Sequence, residues 1–351
     1  MSPSIDTDRL RRLAVLLPNW LGDAVMSEPA LTALHQRHPN LEIVAFGRPP
    51  ALEALRNQCG LHSIHRLDDR GLMGPIRAGR AIRAEKPDAV LILRGSFRSA
   101  LVARLSGCPI RIGTPGDGRR GLLTHPVLRP SMPGSGPSPT TQLYEDLVGA
   151  LGVEVARRPP QLEIGEAERA TAETLLEGLA RPILGIVPGG SKIPKRWPVE
   201  RFADSVRRLH GRIGSCVLLG SPEEQDILDD IHARCATAEH PPVRQLASAG
   251  LSLQNLRGVV ASCDAILCND TGPRHLAIGT GTPTIALFGP TDHRWTLIPG
   301  AEERLLLAEP FLDAEHVADR HPNACRIDRI SVGDVVHATA TTIESSVSSR
   351  T

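Results

Sequence analysis

Residues 269–276, NDTGPRHL, combine side chains and backbone features suited to binding an anion. The segment directly follows the apolar run AILC and reads as a helix start that Thr271 can cap, with Gly272 allowing a ligand close to the backbone. Free N–H groups at a helix start, together with the helix dipole, favour a diphosphate. Asp270 would repel phosphate and is better suited to sugar hydroxyls, while His275 falls on the same helix face as Thr271. The alternative is an ordinary helix start that binds nothing.

A second candidate segment is PGGSKIPKRWP at 188–198, again between the end of a strand and the start of a helix. Gly189 leaves the backbone accessible, and Lys192, Lys195 and Arg196 place three cations close together. Lysine is rare in this chain, so two lysines in one loop favour a role at a phosphate. Fixed cations can stabilise a leaving diphosphate without a metal. Basic loops also precede amphipathic helices without any function, which is the alternative.

The third segment is NWLGDAVMSEPAL at 19–31, after the first predicted strand. Gly22 permits a tight turn, and Asp23 begins a helix whose apolar face includes Val25 and Leu34. Asp23 is either the N-cap of this helix or a general base that accepts a proton from an attacking hydroxyl. A base on one domain and a leaving diphosphate on the other would fit direct displacement.

Two weaker features complete the candidate site. GSPEEQD at 220–226 ends a strand, so Glu223 or Glu224 could accept hydrogen bonds from a ribose, although acidic residues are expected in a first helical turn anyway. Basic and polar side chains of the first half could meet an anionic acceptor, or simply be solvated. These are the ones in GSFRSALVARLSG at 95–107, with Arg119 and Arg120.

Apolar runs of strand length alternate with amphipathic stretches along the chain. The first half has LAVLL, LEIVAF and DAVLIL, with helices predicted at 24–38, 50–57 and 97–105. The pattern restarts with ILGIVP, SCVLLG, VRQL, DAILCND and TIALFGP. This alternation is typical of parallel sheets, so we predict an α/β protein of two Rossmann-like, doubly wound domains around a cleft. The candidate segments all follow predicted strands, at the edge where such sheets bind ligands.

A chain of 351 residues is long enough for two cores, and we place the domains at 1–165 and 166–330. A helix at 331–345 could pack back on the first domain. Residues 1–165 carry 21 basic and 15 acidic side chains, against 19 and 24 in the remainder. This asymmetry suggests an anionic partner for the first half, such as a phosphorylated lipid or a membrane surface, or else a solvated arginine-rich surface.

Several classes of function receive little support. The apolar runs are too short to cross a bilayer. Arginines followed by LAVLL are also found at the start of a signal peptide, but this apolar run is too short and is read as a first strand. No Walker-type phosphate loop or strand-linked G-x-G-x-x-G occurs, which argues against an ATPase or a dehydrogenase. The seven cysteines are scattered and never spaced as C-x-x-C, and no His/Cys cluster is present. We therefore expect a reducing compartment, no metal and no other cofactor.

Taken together and in order, NWLGDAVMSEPAL, PGGSKIPKRWPVERFA, LLGSPEEQD and NDTGPRHLAIGTGTPTIALFGPTD resemble the ADP-heptose:lipopolysaccharide heptosyltransferases of glycosyltransferase family 9. The resemblance runs from about residue 13 to 335. It implies a GT-B fold and an inverting, metal-independent transfer of heptose from ADP-heptose. It also implies a lipid A-linked acceptor in the inner core of lipopolysaccharide, no nucleic-acid partner, and a cytoplasmic enzyme held peripherally at the inner membrane.

The resemblance also implies roles for single residues. Asp23 matches the catalytic aspartate of the family and Lys195 its lysine at the donor phosphates. The donor-binding loop corresponds to Asp270, Thr271, Gly272 and His275, with Glu224 or Glu223 at the ribose. GSFRSAL resembles heptosyltransferase II-type members, in which Ser96 and Arg98 would lie toward the acceptor.

The resemblance leaves the acceptor and its linkage position open. The Pro/Gly/Ser-rich stretch at 131–139 and the segment 322–325 depart from many relatives. A family member that uses another nucleotide sugar or a protein acceptor is one alternative. A non-catalytic nucleotide-sugar-binding protein is a second, and a nucleotide-sugar epimerase of similar build is a third.

Overall fold

The computed structural model describes residues 5–58, 60–128, 137–308 and 316–348. Tertiary contacts divide the chain into two compact units. The first ends at Leu162 and includes Thr296–Pro299, and the second takes the other described residues from Glu163 onward. Cys59 and residues 131–136 of the Pro/Gly/Ser-rich stretch lie outside the described residues.

The first unit is a six-stranded parallel sheet flanked by helices. Its strand order is β3-β2-β1-β4-β5-β6. The strands are β1 (Arg12–Leu16), β2 (Glu42–Gly47), β3 (Leu61–Arg66), β4 (Ala89–Ile92), β5 (Ile110–Gly113) and β6 (His125–Pro126). The helices are α1 (Leu21–Met26), α2 (Glu28–Arg37), α3 (Pro49–Ala54), α4 (Gly74–Ala84), α5 (Phe97–Leu105) and α6 (Thr140–Gly149).

The second unit repeats this architecture. Its sheet has the order β12-β11-β10-β7-β8-β9, again with parallel neighbours. The strands are β7 (Ile183–Val187), β8 (Ser215–Leu218), β9 (Val243–Gln245), β10 (Ala265–Asn269), β11 (Thr284–Phe288) and β12 (Glu303–Leu307). The helices are α7 (Glu166–Leu176), α8 (Val199–Arg208), α9 (Gln225–Cys235), α10 (Leu256–Ser262), α11 (Gly272–Gly279) and α12 (Val332–Ser348). The prediction of two doubly wound sheets is confirmed.

Each sheet reverses its strand order once. The reversal lies between β1 and β4 in the first sheet and between β7 and β10 in the second, because the chain builds outward from that pair in both directions. The connections on either side of such a pair leave toward opposite faces, which opens a crevice at the carboxyl ends of the two strands. This switch point is the expected ligand site of each sheet.

Two helix predictions need correction. The helix expected at 24–38 is broken at Ser27, whose buried hydroxyl donates to the carbonyl of Ala24 at 2.7 Å, so α1 and α2 are separate. The C-terminal helix α12 belongs to the second unit and packs on α8, β10 and β11. Its apolar residues Val335 and Ile343 join the core of that unit. The expectation that this helix packs on the first domain is therefore wrong.

Within the described parts of the chain, none of the helices is both long and apolar enough to span a bilayer. Six described cysteines are buried and unpaired: Cys108, Cys216, Cys235, Cys263, Cys268 and Cys325. Burial raises the pKa of the Cys235 thiol to about 11, so that side chain is a protonated apolar group at neutral pH.

Candidate functional site

The loop after β7 is organised around the carboxylate of Glu224. Its Oε1 accepts the N–H of Gly190 at 3.0 Å, and its Oε2 accepts the N–H of Ser221 at 2.9 Å. A Cβ atom on Gly189 would lie 1.8 Å from Oε1, so the residue must be glycine for the carboxylate to stay there. Glu223 is exposed instead. The sequence did not decide between these two glutamates as the ribose contact. In the structure, Glu224 is the one that lies at the carboxyl end of β7.

Asn269, the last residue of β10, connects the two strand ends at the switch point. Its Nδ2 donates to the carbonyls of Pro188 at 2.7 Å and Gly189 at 3.1 Å, and its Oδ1 accepts the N–H of Trp197 at 3.2 Å. The residue is completely buried. Sequence reasoning passed over this asparagine, although it opens the NDTGPRHL segment.

A chain of charged side chains runs from this loop to β12 within the second unit. Lys195 Nζ donates to Asp270 Oδ2 at 3.0 Å, and Arg274 lies 3.7 Å from the other oxygen of Asp270. Arg274 is fully buried, pairs with Glu303 and lies over the Phe288 ring at 4.9 Å from its centroid. Lys195 keeps a fifth of its side chain exposed. The lysine is therefore held in position while its ammonium stays within reach of a ligand.

The start of α11 is an uncapped helix terminus. Thr271 is the N-cap residue, as predicted, but its side chain makes no capping hydrogen bond, and its buried Oγ1 has no partner among the described residues. The first N–H groups of this helix can therefore serve a ligand at Gly272.

His275 is buried one turn into α11. Burial, with a smaller contribution from Arg274, lowers its pKa well below the usual range. Its buried Nδ1 finds no hydrogen-bond partner in the parts of the chain that the structure describes. The imidazole is neutral at physiological pH and can contribute a hydrogen bond but no charge.

The three cations of the PGGSKIPKRWP loop differ in their surroundings. Lys192 is exposed, whereas Lys195 is fixed by Asp270. Arg196 Nε donates to the carbonyl of Gly190 at 2.9 Å and so braces the loop. The loop presents one held and one free ammonium group, rather than three equivalent cations.

In the first unit, Asp23 lies in the first turn of α1. The helix begins at Leu21 with Trp20 as its N-cap residue, so the interpretation of Asp23 as the N-cap is wrong. Gly22 is buried beside it. Burial raises the pKa of Tyr144 well above its usual range, and the charge of nearby Asp23 adds to the rise. Asp23 therefore lies close to a phenol that stays protonated.

The other polar residues predicted for the first half have structural partners. Ser96 caps α5 by accepting the N–H of Ser99 at 3.2 Å. Arg98 Nη1 donates to the carbonyls of Asp69 at 2.8 Å and Gly71 at 3.0 Å. These contacts tie the loop after β3 to the start of α5.

Arg119 is buried and Arg120 is exposed. Arg119 donates to the carbonyl and hydroxyl of Thr114 at 2.6 and 3.0 Å, and pairs with Asp117 at 2.9 Å. Sequence reasoning missed a further arginine of the first unit, Arg94, which contacts Asn19 and Asp69.

Within the described ranges, no group of three or more His, Cys, Asp or Glu side chains is arranged to hold a metal ion.

Two doubly wound sheets with polar clusters at the carboxyl ends of their strands form an architecture that can bind a nucleotide-linked substrate. Residues 76–309 match glycosyltransferase family 9 (heptosyltransferase), and the chain belongs to that family. The family predicted from the four sequence segments is confirmed.

Relatives of known name are similar over most of their length. Lipopolysaccharide heptosyltransferase 2 of Escherichia coli is 28% identical over 301 residues, which cover 81% of this chain and 84% of that protein. Lipooligosaccharide heptosyltransferase 2 of Haemophilus ducreyi is 28% identical over 313 residues, which cover 81% of this chain and 85% of that protein.

Solved structures show the same fold. The E. coli ADP-heptose lipopolysaccharide heptosyltransferase II superposes with a TM-score of 0.79 at 24% identity, covering 95% of this chain and 99% of that one. A family 9 glycosyltransferase from Veillonella parvula superposes with a TM-score of 0.82 at 22% identity, covering 98% and 100%. This likeness confirms the predicted GT-B fold.

Proposed function

We propose that the protein transfers heptose from ADP-heptose to the inner core of lipopolysaccharide, with inversion at the anomeric carbon. Membership of glycosyltransferase family 9 and the names of the relatives support this reaction. The observation that carries it is the pairing of Lys195 with Asp270 beside the uncapped start of α11. The ammonium of Lys195 is suited to a diphosphate and the carboxylate of Asp270 to sugar hydroxyls, and the two groups are hydrogen-bonded to each other.

The donor diphosphate binds at the second sheet. The N–H groups of Thr271 and Gly272 and the ammonium of Lys195 receive the phosphate oxygens, and Gly189 lets the backbone come close. Lys192 adds an exposed positive charge. As the bond to the sugar breaks, negative charge grows on the departing ADP, and these fixed groups stabilise it.

The remaining donor contacts orient the sugar and the nucleoside. Asp270 accepts hydrogen bonds from heptose hydroxyls with its free lone pairs while it holds Lys195. Glu224 receives the ribose, because its carboxylate lies at the strand edge with two backbone N–H partners already in place. His275 contributes a neutral hydrogen bond, and Glu223 remains in solvent.

Asp23 acts as the general base. Its carboxylate takes the proton from the acceptor hydroxyl as that oxygen attacks the anomeric carbon, and ADP leaves from the opposite side. One displacement inverts the configuration. Gly22, Ser96, Arg98, Arg119 and Arg120 belong to the edge of the first sheet that receives the acceptor.

The test is transfer from ADP-heptose, followed by intact-mass detection, onto purified inner-core acceptors truncated before and after the first heptose. Addition of one heptose to either acceptor supports the proposal and identifies the subtype. Tight ADP-heptose binding without product on either acceptor favours a different acceptor or a binding protein. Conversion of the donor without acceptor favours an epimerase.

We also propose that the same edge of the first unit touches a membrane surface. Trp20, Leu72, Met73 and Phe97 follow three different strands of one parallel sheet and are exposed, from 48% for Phe97 to 97% for Leu72. The hydrogen bond from Arg98 to Gly71 brings the loop of Leu72 to the residue next to Phe97. Exposed arginines lie among them, and apolar side chains interleaved with cations suit an anionic lipid surface.

Sedimentation with phosphatidylglycerol vesicles tests this contact. We expect the wild type to bind these vesicles more tightly than phosphatidylcholine vesicles, and Leu72→Ser with Phe97→Ser to reduce binding. Ile193→Ser in the second unit removes an apolar side chain that is 78% exposed and is the control. Equal binding by the wild type and the double variant would contradict the proposal.

A further inference from the structure

Arg94 is buried at the carboxyl edge of the first sheet with part of its guanidinium unpaired. The residue is 7% exposed. Its Nη2 donates to Asn19 Oδ1 at 2.5 Å and to Asp69 Oδ2 at 3.0 Å. Its Nε and Nη1 are buried and find no hydrogen-bond partner among the described residues. Burying a charged donor without a partner is unfavourable, so these nitrogens are suited to a ligand that accepts hydrogen bonds.

The charges around Arg94 do not balance. Asp69 is 1% exposed, and its single carboxylate faces two arginines, with Oδ1 accepting from Arg48 Nη2 at 3.0 Å and Oδ2 from Arg94. Burial lowers the pKa of Arg94, while Asp69 offsets part of that effect. An arginine stays charged in proteins, so the Arg48, Asp69 and Arg94 cluster carries one excess positive charge. An oxyanion would neutralise it.

The position of this cluster is the switch point of the first sheet. Asn19 follows β1 and Arg94 follows β4, and these are the two strands between which the order reverses. Ligands of open α/β sheets bind in this crevice. The α1 helix that carries Asp23 starts from the same β1 connection, so a group bound to Arg94 lies next to the segment that presents the proposed base.

We propose that Arg94 is a binding residue for an oxyanion of the acceptor, a carboxylate or a phosphate, and that this subsite holds the acceptor for attack. The inference rests on the proposed function. Because both unpaired nitrogens are shielded from solvent, the oxyanion reaches them through a local rearrangement of this edge. Arg94 belongs to the first unit and the proposed donor residues belong to the second, so we expect the effect of Arg94 to fall on the acceptor.

The experiment is steady-state transfer by Arg94→Met, with each substrate varied in turn. We expect the KM for the acceptor to rise about 10- to 100-fold, as for loss of hydrogen bonds to a charged group, while the KM for ADP-heptose stays unchanged. Arg94→Lys keeps the charge and should be intermediate. Arg77→Met removes an exposed arginine that pairs with Asp68 and is the matched control. An unchanged acceptor KM in Arg94→Met would overturn the proposal.

Modified acceptors identify the acid group. One preparation has its phosphates removed enzymatically and the other has its carboxylates esterified. If one treatment raises the acceptor KM of the wild type but not that of Arg94→Met, that group binds Arg94. If both treatments affect the wild type and the variant equally, Arg94 binds neither group and the proposal fails.

Thermal unfolding separates this inference from the proposed function. Even if no acceptor is glycosylated, inorganic phosphate or acetate should raise the Tm of the wild type and raise it less in Arg94→Met. Equal shifts in both proteins would contradict the oxyanion site. A variant with lower Tm and lower kcat but an unchanged acceptor KM would show that Arg94 only stabilises the fold.

Discussion

At the switch point of the second sheet, Asn269 uses its whole side chain to join the ends of β7 and β10, with every hydrogen bond made inside the protein. At the switch point of the first sheet, Asn19 meets Arg94 instead, and two guanidinium nitrogens of Arg94 lack a partner within the described ranges. The strand orders are the same. The link between the two strand ends of the second sheet is therefore complete before a ligand arrives, although Thr271 and His275 beside it keep buried atoms without a partner among the described residues. On our proposal, the Arg94 cluster of the first sheet is completed by its ligand.

This difference suits the two substrates of a transfer reaction. A nucleotide sugar gives a well-defined shape and charge, which a preorganised loop and helix start can match at little entropic cost. On our proposal, the acceptor is held at the first sheet through an oxyanion that binds Arg94. The variants below separate the contributions of the two edges.

The largest effect should come from Asp23→Asn in the first unit. The amide keeps the shape of the side chain but cannot take the proton, so we expect kcat to fall by about 10²- to 10⁴-fold. Because Asp23 is not part of the donor edge, the affinity for ADP-heptose should not change. Asp68→Asn, which removes an exposed carboxylate, is the control. Wild-type turnover by Asp23→Asn would rule out the base.

At the second edge, Lys195→Met should weaken ADP-heptose binding by about 10- to 100-fold, because a hydrogen-bonded charge at the diphosphate is lost. Lys192→Met should cost much less, because Lys192 is exposed and not fixed. Isothermal titration of both variants with ADP-heptose measures the difference. Equal losses would mean that the pairing of Lys195 with Asp270 does not organise the donor site.

The two asparagines test the comparison through stability. Asn269→Ala leaves buried backbone groups unpaired and should lower the free energy of unfolding by about 1–3 kcal/mol. Asn19→Ala removes a single acceptor at a partly exposed position and should have a smaller effect. Urea unfolding followed by tryptophan fluorescence checks both. A larger loss of unfolding free energy for Asn19→Ala than for Asn269→Ala would contradict the view that the switch point of the second sheet is the preorganised one.

The smallest effect concerns His275 and pH. An unfolded histidine takes up a proton near pH 6.5, but folded His275, with its lowered pKa, does not. The unfolded state then binds more protons, so stability falls as pH drops below about 6.5, by up to about 1.4 kcal/mol per pH unit. His275→Gln should remove this part of the pH dependence. Parallel stability curves between pH 7.5 and 5.5, measured by urea unfolding, would contradict a buried neutral imidazole.

Much of the fold could be predicted from the sequence because the central strands are buried on both faces. β1, β7 and β10 appear as uninterrupted apolar runs, which sequence patterns identify well. The strands that we missed lie toward the outside of the sheets. β3 alternates partly buried and exposed residues and includes two histidines, and β12 is only partly buried.

Site residues could be predicted from the sequence where they belong to a recognisable motif. They could not be predicted where their role depends on burial and on partners distant in the sequence. Lys195 and Asp270 could each be picked from the sequence, but their ion pair brings together residues 75 positions apart. Nothing in LILRGSF shows that Arg94 shares Asp69 with Arg48, since those partners follow other strands. Asn269 was overlooked because an asparagine at a strand end looks like an ordinary turn residue.

The most direct test of direct displacement is the anomeric configuration of the product. The heptose transferred by the wild-type enzyme to its acceptor should be analysed by NMR and compared with the heptose in ADP-heptose. A single attack assisted by Asp23 predicts the opposite configuration in the product. Retention of configuration would require two displacements or a different mechanism, and would contradict the proposed division between a donor edge and a base.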